Sequence, residues 1–398
     1  MTLGSLFDGI SGFPLSASRL GIMPIWSAEI VSACISIAKR HFPDMKHLGD
    51  IKKLNGGEIK PVDIVTFGSP CQDLSLAGNR EGLKGINSGL FLEAVRVIKE
   101  MRKAHGKPTF IVWENVVGTF SSKEGEDFRT VIEEIAKIAE AVSIPKPYKN
   151  KWHNAGFVMG NSFSIAWRVL DAQYWGVPQR RNRIFLLADF RGQRAGEILF
   201  KCEGLPGNFE SGKKKRQGIA ADTGNCVNAA GFNGCCSISG AFEQYAVDFG
   251  KPSDRIQINP NKAVTLKSAG GGGGAKTGLY CLPFTFQSYG QYKQDDISKS
   301  YMACDDITTG DLIIDNYGVR RLTPLEVERC FGFPDNYTAY GHDGKRISDS
   351  ARYKALGNSV AIPCVERVLA GIKAVCKTNQ IAKKEITEND SKTNLRHC

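Results

Sequence analysis

No Cys-x-x-Cys pair occurs among the twelve cysteines of this chain, and none of its six histidines is paired at ligand spacing. The patterns that hold structural zinc are therefore missing, and no metal is expected. No apolar run is long enough to cross a bilayer. The opening residues, Met1-Thr2-Leu3-Gly4-Ser5-Leu6-Phe7, carry no basic and apolar leader. These absences predict a cytoplasmic protein whose scattered cysteines stay reduced. Acidic charge is also in deficit. Lys and Arg number 52 against 41 Asp and Glu, a formal net charge of +11. That balance suits a polyanionic partner such as nucleic acid, and equally a merely soluble basic surface.

At 398 residues the chain exceeds one ordinary core, so two domains are expected. Its organising stretch is Val62–Ser75. Val62, Ile64, Val65 and Phe67 make a short apolar run that reads as a buried strand. Gly68-Ser69-Pro70 ends the run with turn chemistry, and Cys71 follows at once. In open α/β sheets, ligands sit just past the carboxyl ends of strands. A thiol placed there can attack a ligand, or it can be one more buried cysteine.

The flanking sequence supplies the rest of such a sheet. Leu3–Phe7 reads as a strand, followed by the turn Asp8-Gly9-Ile10-Ser11-Gly12 and a helix to Leu20. Met23–Ala28 reads as a second strand ending at Glu29, an acid placed to accept hydrogen bonds from ribose hydroxyls. Helices are expected over Val31–His41, Gly89–Met101 and Glu126–Val142, and strands over Thr109–Trp113, Ser164–Leu170 and Ile184–Ala188. The alternation predicts a doubly wound parallel sheet. Alternation also puts Arg181 and Arg183 on one face and Arg180 on the other. Residues 191–317 lose this rhythm and gain glycine, lysine and asparagine, including Lys213–Arg216 and Gly270–Gly274. They read as a second, irregular β-rich domain without a helix of useful length. Thr323-Pro324-Leu325-Glu326 is a capping box, Tyr353–Val360 reads as a turn, and Pro363–Cys376 as an apolar-faced helix.

Cys71, Glu114, Arg181 and Arg183, with Glu29 and Asp50 beside the glycine turn, are the polar groups expected at strand ends. A thiolate, a carboxyl and guanidinium groups suit addition to an electron-poor ring such as cytosine. Here the chain resembles the DNA (cytosine-5)-methyltransferases of bacterial and phage type. Phe7–Gly12, Glu29, Asp50, Gly68–Gln72, Glu114-Asn115-Val116, Gln179–Arg183, Arg321–Pro324 and Gly357–Val360 stand in that family's order. The glycine turn departs from the pattern only at Ser11, where the family usually has glycine.

The resemblance implies a Rossmann-like S-adenosylmethionine-dependent methyltransferase sheet with helices on both faces, built from residues 1–190 and 318–376. Residues 191–317 would be a smaller target-recognition domain and 377–398 a polar tail. It implies Cys71 as the nucleophile that adds to C6 of a flipped-out cytosine, with Glu114 at N3 and Arg183 at O2. Arg181 would serve the backbone phosphate or the surroundings of Cys71. S-adenosyl-L-methionine would lie against Phe7, Gly9, Gly12, Glu29, Asp50, Ile51, Pro70, Asn358 and Ser359. Gln72, Ser75, Gln179 and Arg181 would face double-stranded DNA. A cognate restriction endonuclease is a possible companion, and a monomer without membrane association is expected. A tRNA cytosine-5 methyltransferase and a catalytically silent DNA-binding relative are the alternatives.

Overall fold

A computed structural model describes residues 1–70, 88–200 and 322–377, together with seven strands between 201 and 321. Cys71, Gln72, Ser75, Lys213–Arg216, Gly270–Gly274 and the tail from 378 lie outside the described residues.

The centre is an eight-stranded sheet. Its strands are β1 (Thr2–Leu6), β2 (Met23–Ala28), β3 (Lys46–His47), β4 (Ile64–Phe67), β5 (Phe110–Val116), β6 (Ala155–Met159), β7 (Ser164–Asp171) and β8 (Asn182–Asp189). Their order is β3-β2-β1-β4-β5-β8-β7-β6. The first five run parallel. The last three do not continue that way: β8 is antiparallel to β5, β7 to β8, and β6 to β7. The sheet is therefore mixed rather than wholly parallel. A strand buried on both faces carries no mark of its direction, because its apolar run looks alike either way.

Two helical layers cover the sheet. On one face α3 (Ser88–His105) and α4 (Glu126–Ala136) bury Phe91, Ala94, Val95, Ile98, Phe128, Val131 and Ile135 against Val65, Phe67, Ile111 and Trp113. Their apolar residues recur at helical spacing, which is why these segments coil and pack as they do. On the other face lie α1 (Gly12–Arg19), α5 (Ala195–Phe200) and α8 (residues 362–377), packed on Ile64, Phe110, Val112 and Phe185. The remaining helices are α2 (Ser32–His41), α6 (Pro324–Phe331) and α7 (Asp349–Gly357). The capping box of α6 forms as read: Thr323 Oγ1 accepts from the Glu326 amide, and the Glu326 carboxyl accepts from the Thr323 amide at 2.7 Å.

Three elements differ from the expectation. Asp349–Gly357 is a helix, not part of a turn, started by Ser348 as N-cap. Ala155–Met159 forms an edge hairpin with β7. Ala195–Phe200 is a helix that buries Ala195, Ile198 and Leu199 against the sheet, so the body built on the first 190 residues continues to about residue 200. Between 245 and 321 the described strands are β9 (Tyr245–Phe249), β10 (Ile256–Asn259), β11 (Thr277–Tyr280), β12 (Phe284–Ser288), β13 (Gln291–Gln294), β14 (Leu312–Asp315) and β15 (Gly318–Arg321). They form two antiparallel sheets, β10-β9-β11 and β13-β12-β14-β15. Every element described there is a strand.

Candidate active site

One row of the parallel sheet fixes the site. Ala28 pairs with Leu6, Leu6 with Phe67, and Phe67 with Trp113. The next residue on each strand is Glu29, Phe7, Gly68 and Glu114. Glu29, Phe7 and Gly68 leave the sheet there, while Glu114 stands in the same row inside β5, still paired with Phe185, so all four lie side by side toward the carboxyl edge, the place where such sheets bind ligands.

Glu114 is 9 % exposed. Burial pushes its carboxyl up from the ordinary range, against the pull of Arg183 and Arg181. Its Oε1 lies 3.1 Å from Arg183 Nε. On its other side is the turn that leads to Cys71. A Cβ built on Gly68 would stand 3.2 Å from Glu114 Oε2, so the glycine lets the turn press close to the carboxyl. The turn is anchored from β5 by contacts that the motifs alone did not show. Trp113 Nε1 donates to Ser69 Oγ at 3.2 Å, and Asn115 Nδ2 donates to the Ser69 carbonyl at 3.4 Å. Their mark in the sequence is a polar atom on a residue next to a strand end. Pro70 is half-buried at the end of this anchored turn.

The arginines divide by role. Arg183 and Arg181 share a face and Arg180 is exposed, as alternation requires. Arg181 is only 3 % exposed. Its Nη2 donates to the carbonyls of Gly357 at 3.1 Å and Ser359 at 2.6 Å, and its guanidinium lies over the Phe331 ring. Gln179 is fully buried. Neither side chain faces an open groove, so the structure sets both inward where DNA contact was expected. The reason for Arg181 is plain: carbonyl oxygens at the end of α7 claim its fork.

At the glycine turn, Phe7, Gly9 and Ser11 hold φ of 53°, 57° and 63°. Left-handed backbone at a bulky residue is strained and marks sites where geometry serves a ligand. Gly9 donates its amide to Glu29 Oε2 at 2.8 Å, and Glu29 Oε1 accepts from the amides of Ile30 and Val31. Glu29 is thus oriented by backbone, with lone pairs left for hydroxyl donors. A Cβ on Gly12 would meet Val360 at 2.8 Å and Ser359 Oγ at 3.2 Å. The C-terminal turn therefore closes directly on the glycine turn. Ser359 is buried there and Asn358 exposed. Asp50 is half-buried and accepts from the Lys52 amide at 3.0 Å. The Ile51 side chain belongs to the core, and its carbonyl accepts from Arg96 Nη2 at 3.2 Å. The open turn, the carboxylate at the end of β2 and the small-residue cradle fit an adenosine-containing cofactor.

Comparison with known proteins decides the family. The model of the C-5 cytosine-specific DNA methylases matches residues 1–374. The chain belongs to that family. A DNA N-6-adenine-methyltransferase of Escherichia phage P1 is 29 % identical over 473 residues, covering 95 % of this chain. The chain spans 62 % of that relative's length. Type II methyltransferase M1.ScrFI of Lactococcus lactis subsp. cremoris is 26 % identical, covering 91 % of this chain and 75 % of its own. A crystal structure of a putative DNA modification methyltransferase from an E. coli prophage superposes with a TM-score of 0.56 at 16 % identity, covering 95 % of this chain and 99 % of its own. That likeness carries the fold, which this member of the family shares. Among the described residues no group of His, Cys, Asp and Glu is arranged to hold a metal, and no helix is long and apolar enough to cross a membrane.

Proposed function

We propose that the chain transfers a methyl group from S-adenosylmethionine to C5 of a cytosine flipped out of double-stranded DNA, through a transient bond between Cys71 and C6. The reading rests chiefly on Glu114: a buried carboxyl with a raised pKa, beside a guanidinium, against the turn that ends in Cys71. A carboxyl kept protonated can donate to ring N3. As the Cys71 sulfur bonds to C6, the electrons of the C5–C6 double bond move toward C5, and the proton at N3 steadies the charge. Arg183, whose Nε lies 3.1 Å from Glu114 Oε1, would meet the neighbouring ring oxygen.

S-adenosylmethionine, when bound, supplies the methyl group that C5 accepts. Phe7, Gly9, Gly12, Glu29, Asp50, Ile51, Pro70, Asn358 and Ser359 would hold it. Loss of the C5 proton then lets the ring re-form its double bond and expel the Cys71 thiolate, leaving 5-methylcytosine. C6 is hidden in stacked DNA, so the base has to leave the helix first.

The adenine-methylating name of the phage relative does not redirect this reading. Adenine N6 is an exocyclic amine that attacks a methyl donor directly and has no use for a thiol or a proton at N3. More than a third of that relative lies outside the match. The decisive experiment is covalent trapping on duplex DNA containing 5-fluorocytosine, where fluorine at C5 blocks release of the enzyme. An S-adenosylmethionine-dependent adduct with the natural chain and none with Cys71→Ala is the expected result. No adduct with the natural chain would favour a silent DNA-binding relative, and an adduct on tRNA alone the RNA enzyme. Bisulfite sequencing of DNA from cells making the chain then gives the methylated site.

A further inference from the structure

We infer that the loop Lys146–Lys151 is a second DNA-contacting surface, borne by the catalytic body, that grips the phosphodiester backbone beside the target base. The inference rests on the DNA reading above. The loop's place in the fold comes from sheet register. Glu114 pairs with Phe185, Phe185 with Arg168, and Arg168 with Ala155. Ala155 begins β6, so the chain just before it rises from the same edge of the sheet as the catalytic carboxyl. Three strand spacings separate them, roughly 15 Å. A duplex presenting a base to Glu114 would bring its flanking backbone over this loop.

The loop's chemistry suits that neighbour. Residues 141–154 contain Lys146, Lys149 and Lys151 and no Asp or Glu. Lys149 and Lys151 are exposed and form no ion pair among the described residues. Tyr148 is 82 % exposed, with the Lys149 ammonium 5.2 Å from its ring centre. Exposed lysines flanking an exposed aromatic ring make a surface for phosphate and sugar.

The loop is also held rather than loose. Lys149 and Asn150 both have φ of 55°, and they face a second left-handed pair, Lys123 and Glu124, with φ of 46° and 55°. Asn150 Nδ2 donates to Glu124 Oε2 at 3.2 Å, Trp152 Nε1 donates to the Gly125 carbonyl at 2.8 Å, and Lys146 pairs with Glu126 at 2.5 Å. Trp152 packs edge-on against Phe128 and Trp167 beneath. Four non-glycine residues in left-handed backbone persist only where their surroundings enforce it, and such strain gathers at functional sites. The nearby acids Glu124 and Glu126 are spent on Asn150, Lys146 and Arg129, which leaves Lys149 and Lys151 free for an outside anion.

The test compares the natural full-length chain with Lys149→Ala/Lys151→Ala and Lys149→Glu/Lys151→Glu, by duplex binding across a salt series. Each lysine on a phosphate releases about 0.9 counterion, so losing two flattens the log–log salt slope by about 1.8. Affinity should fall about tenfold or more at low salt, more for the glutamates, and equally on duplexes with and without the methylation site. Raising the DNA concentration should restore turnover, so the loss sits in KM. S-adenosylmethionine binding measured alongside reports an intact fold. A slope and affinity within twofold of the natural chain would overturn the proposal, as would a loss confined to the methylated site. Trapping on 5-fluorocytosine with the natural chain separates the two readings. An adduct with no change of slope removes the loop alone, and a changed slope with no adduct removes the cytosine chemistry alone. A natural chain that binds no duplex removes both.

Discussion

Arg181 donates to the carbonyls of Gly357 and Ser359, joining β8 to the turn that closes on the glycine turn of β1. One buried guanidinium thus links the strand that carries Arg183 to the cradle around Gly12. Arg181→Lys keeps the charge and loses the fork. A lysine has one ammonium for two carbonyls and cannot lie flat on Phe331. Stability should drop by roughly 1–3 kcal/mol, the cost of buried groups left unpaired. The KM for S-adenosylmethionine should rise more than kcat falls, because the damage is to the cofactor cradle. Denaturant melts and steady-state kinetics check both.

On the proposed chemistry, Glu114→Gln removes the proton offered to N3. Loss of a positioned general acid typically costs about 10²–10⁴ in rate, so methyl transfer should fall by that factor while duplex binding persists. Stability should move the other way. The folded carboxyl has a raised pKa, so the native state holds its proton more tightly than the unfolded chain. Stability therefore falls as pH rises above the ordinary value of 4.5 toward the raised one. Glutamine has no charge to bury, so the variant should be the more stable protein at alkaline pH. Melting curves at acid and alkaline pH test the sign.

The elements that were legible in the sequence are those whose signal is local. The Thr323–Glu326 box needs only four residues, and the apolar spacing of α3 declares one buried face. What was hidden depends on distant partners. α7 is weakly amphipathic and buries Arg352 beside Ala355 and Leu356, so its core face does not look apolar. β6 alternates exposed Ala155, Phe157 and Met159 with half-buried Gly156 and Val158, and reads as a strand only once β7 lies beside it. Likewise, the neighbourhood of Glu114 and Arg183 could be read from residue type and position. That Arg181 turns inward could not, because Gly357 and Ser359 are about 180 residues away.

Asp8 is buried in the glycine turn, and burial raises its pKa to about 7. Its Oδ2 accepts from Ser11 Oγ at 2.6 Å, which helps hold Ser11 in its left-handed backbone. Between pH 3.8 and about 7 the folded chain keeps this proton and the unfolded chain does not, so stability declines across that window and is level above it. At 1.36 kcal/mol per unit the whole decline is roughly 4 kcal/mol. Asp8→Asn keeps an acceptor for Ser11 and removes the charge. Its unfolding free energy should lack this slope and exceed that of the natural chain at pH 8. Urea titrations from pH 4 to pH 8 measure the difference, and parallel slopes in both proteins would contradict it.

Glu328 and Arg352 form a buried pair at 3.1 Å between α6 and α7, with side chains 0 % and 7 % exposed. Thr338 completes it: its amide donates to Glu328 Oε1 at 2.8 Å, its hydroxyl binds the same oxygen, and Arg352 Nε donates to its Oγ1 at 3.0 Å. Such a pair gains little over an apolar replacement but is costly to break, since the surviving charge stays buried. Arg352→Met or Glu328→Met alone should each lose roughly 3–5 kcal/mol, and the double substitution much less than their sum. α7, which carries Arg352, runs directly into the Gly357–Ser359 turn, so the single variants should also weaken S-adenosylmethionine binding and the double variant recover part of it. A thermodynamic cycle over the four proteins, with cofactor titration of each, gives the coupling. Additive losses would mean that the two charges stabilise the helices independently.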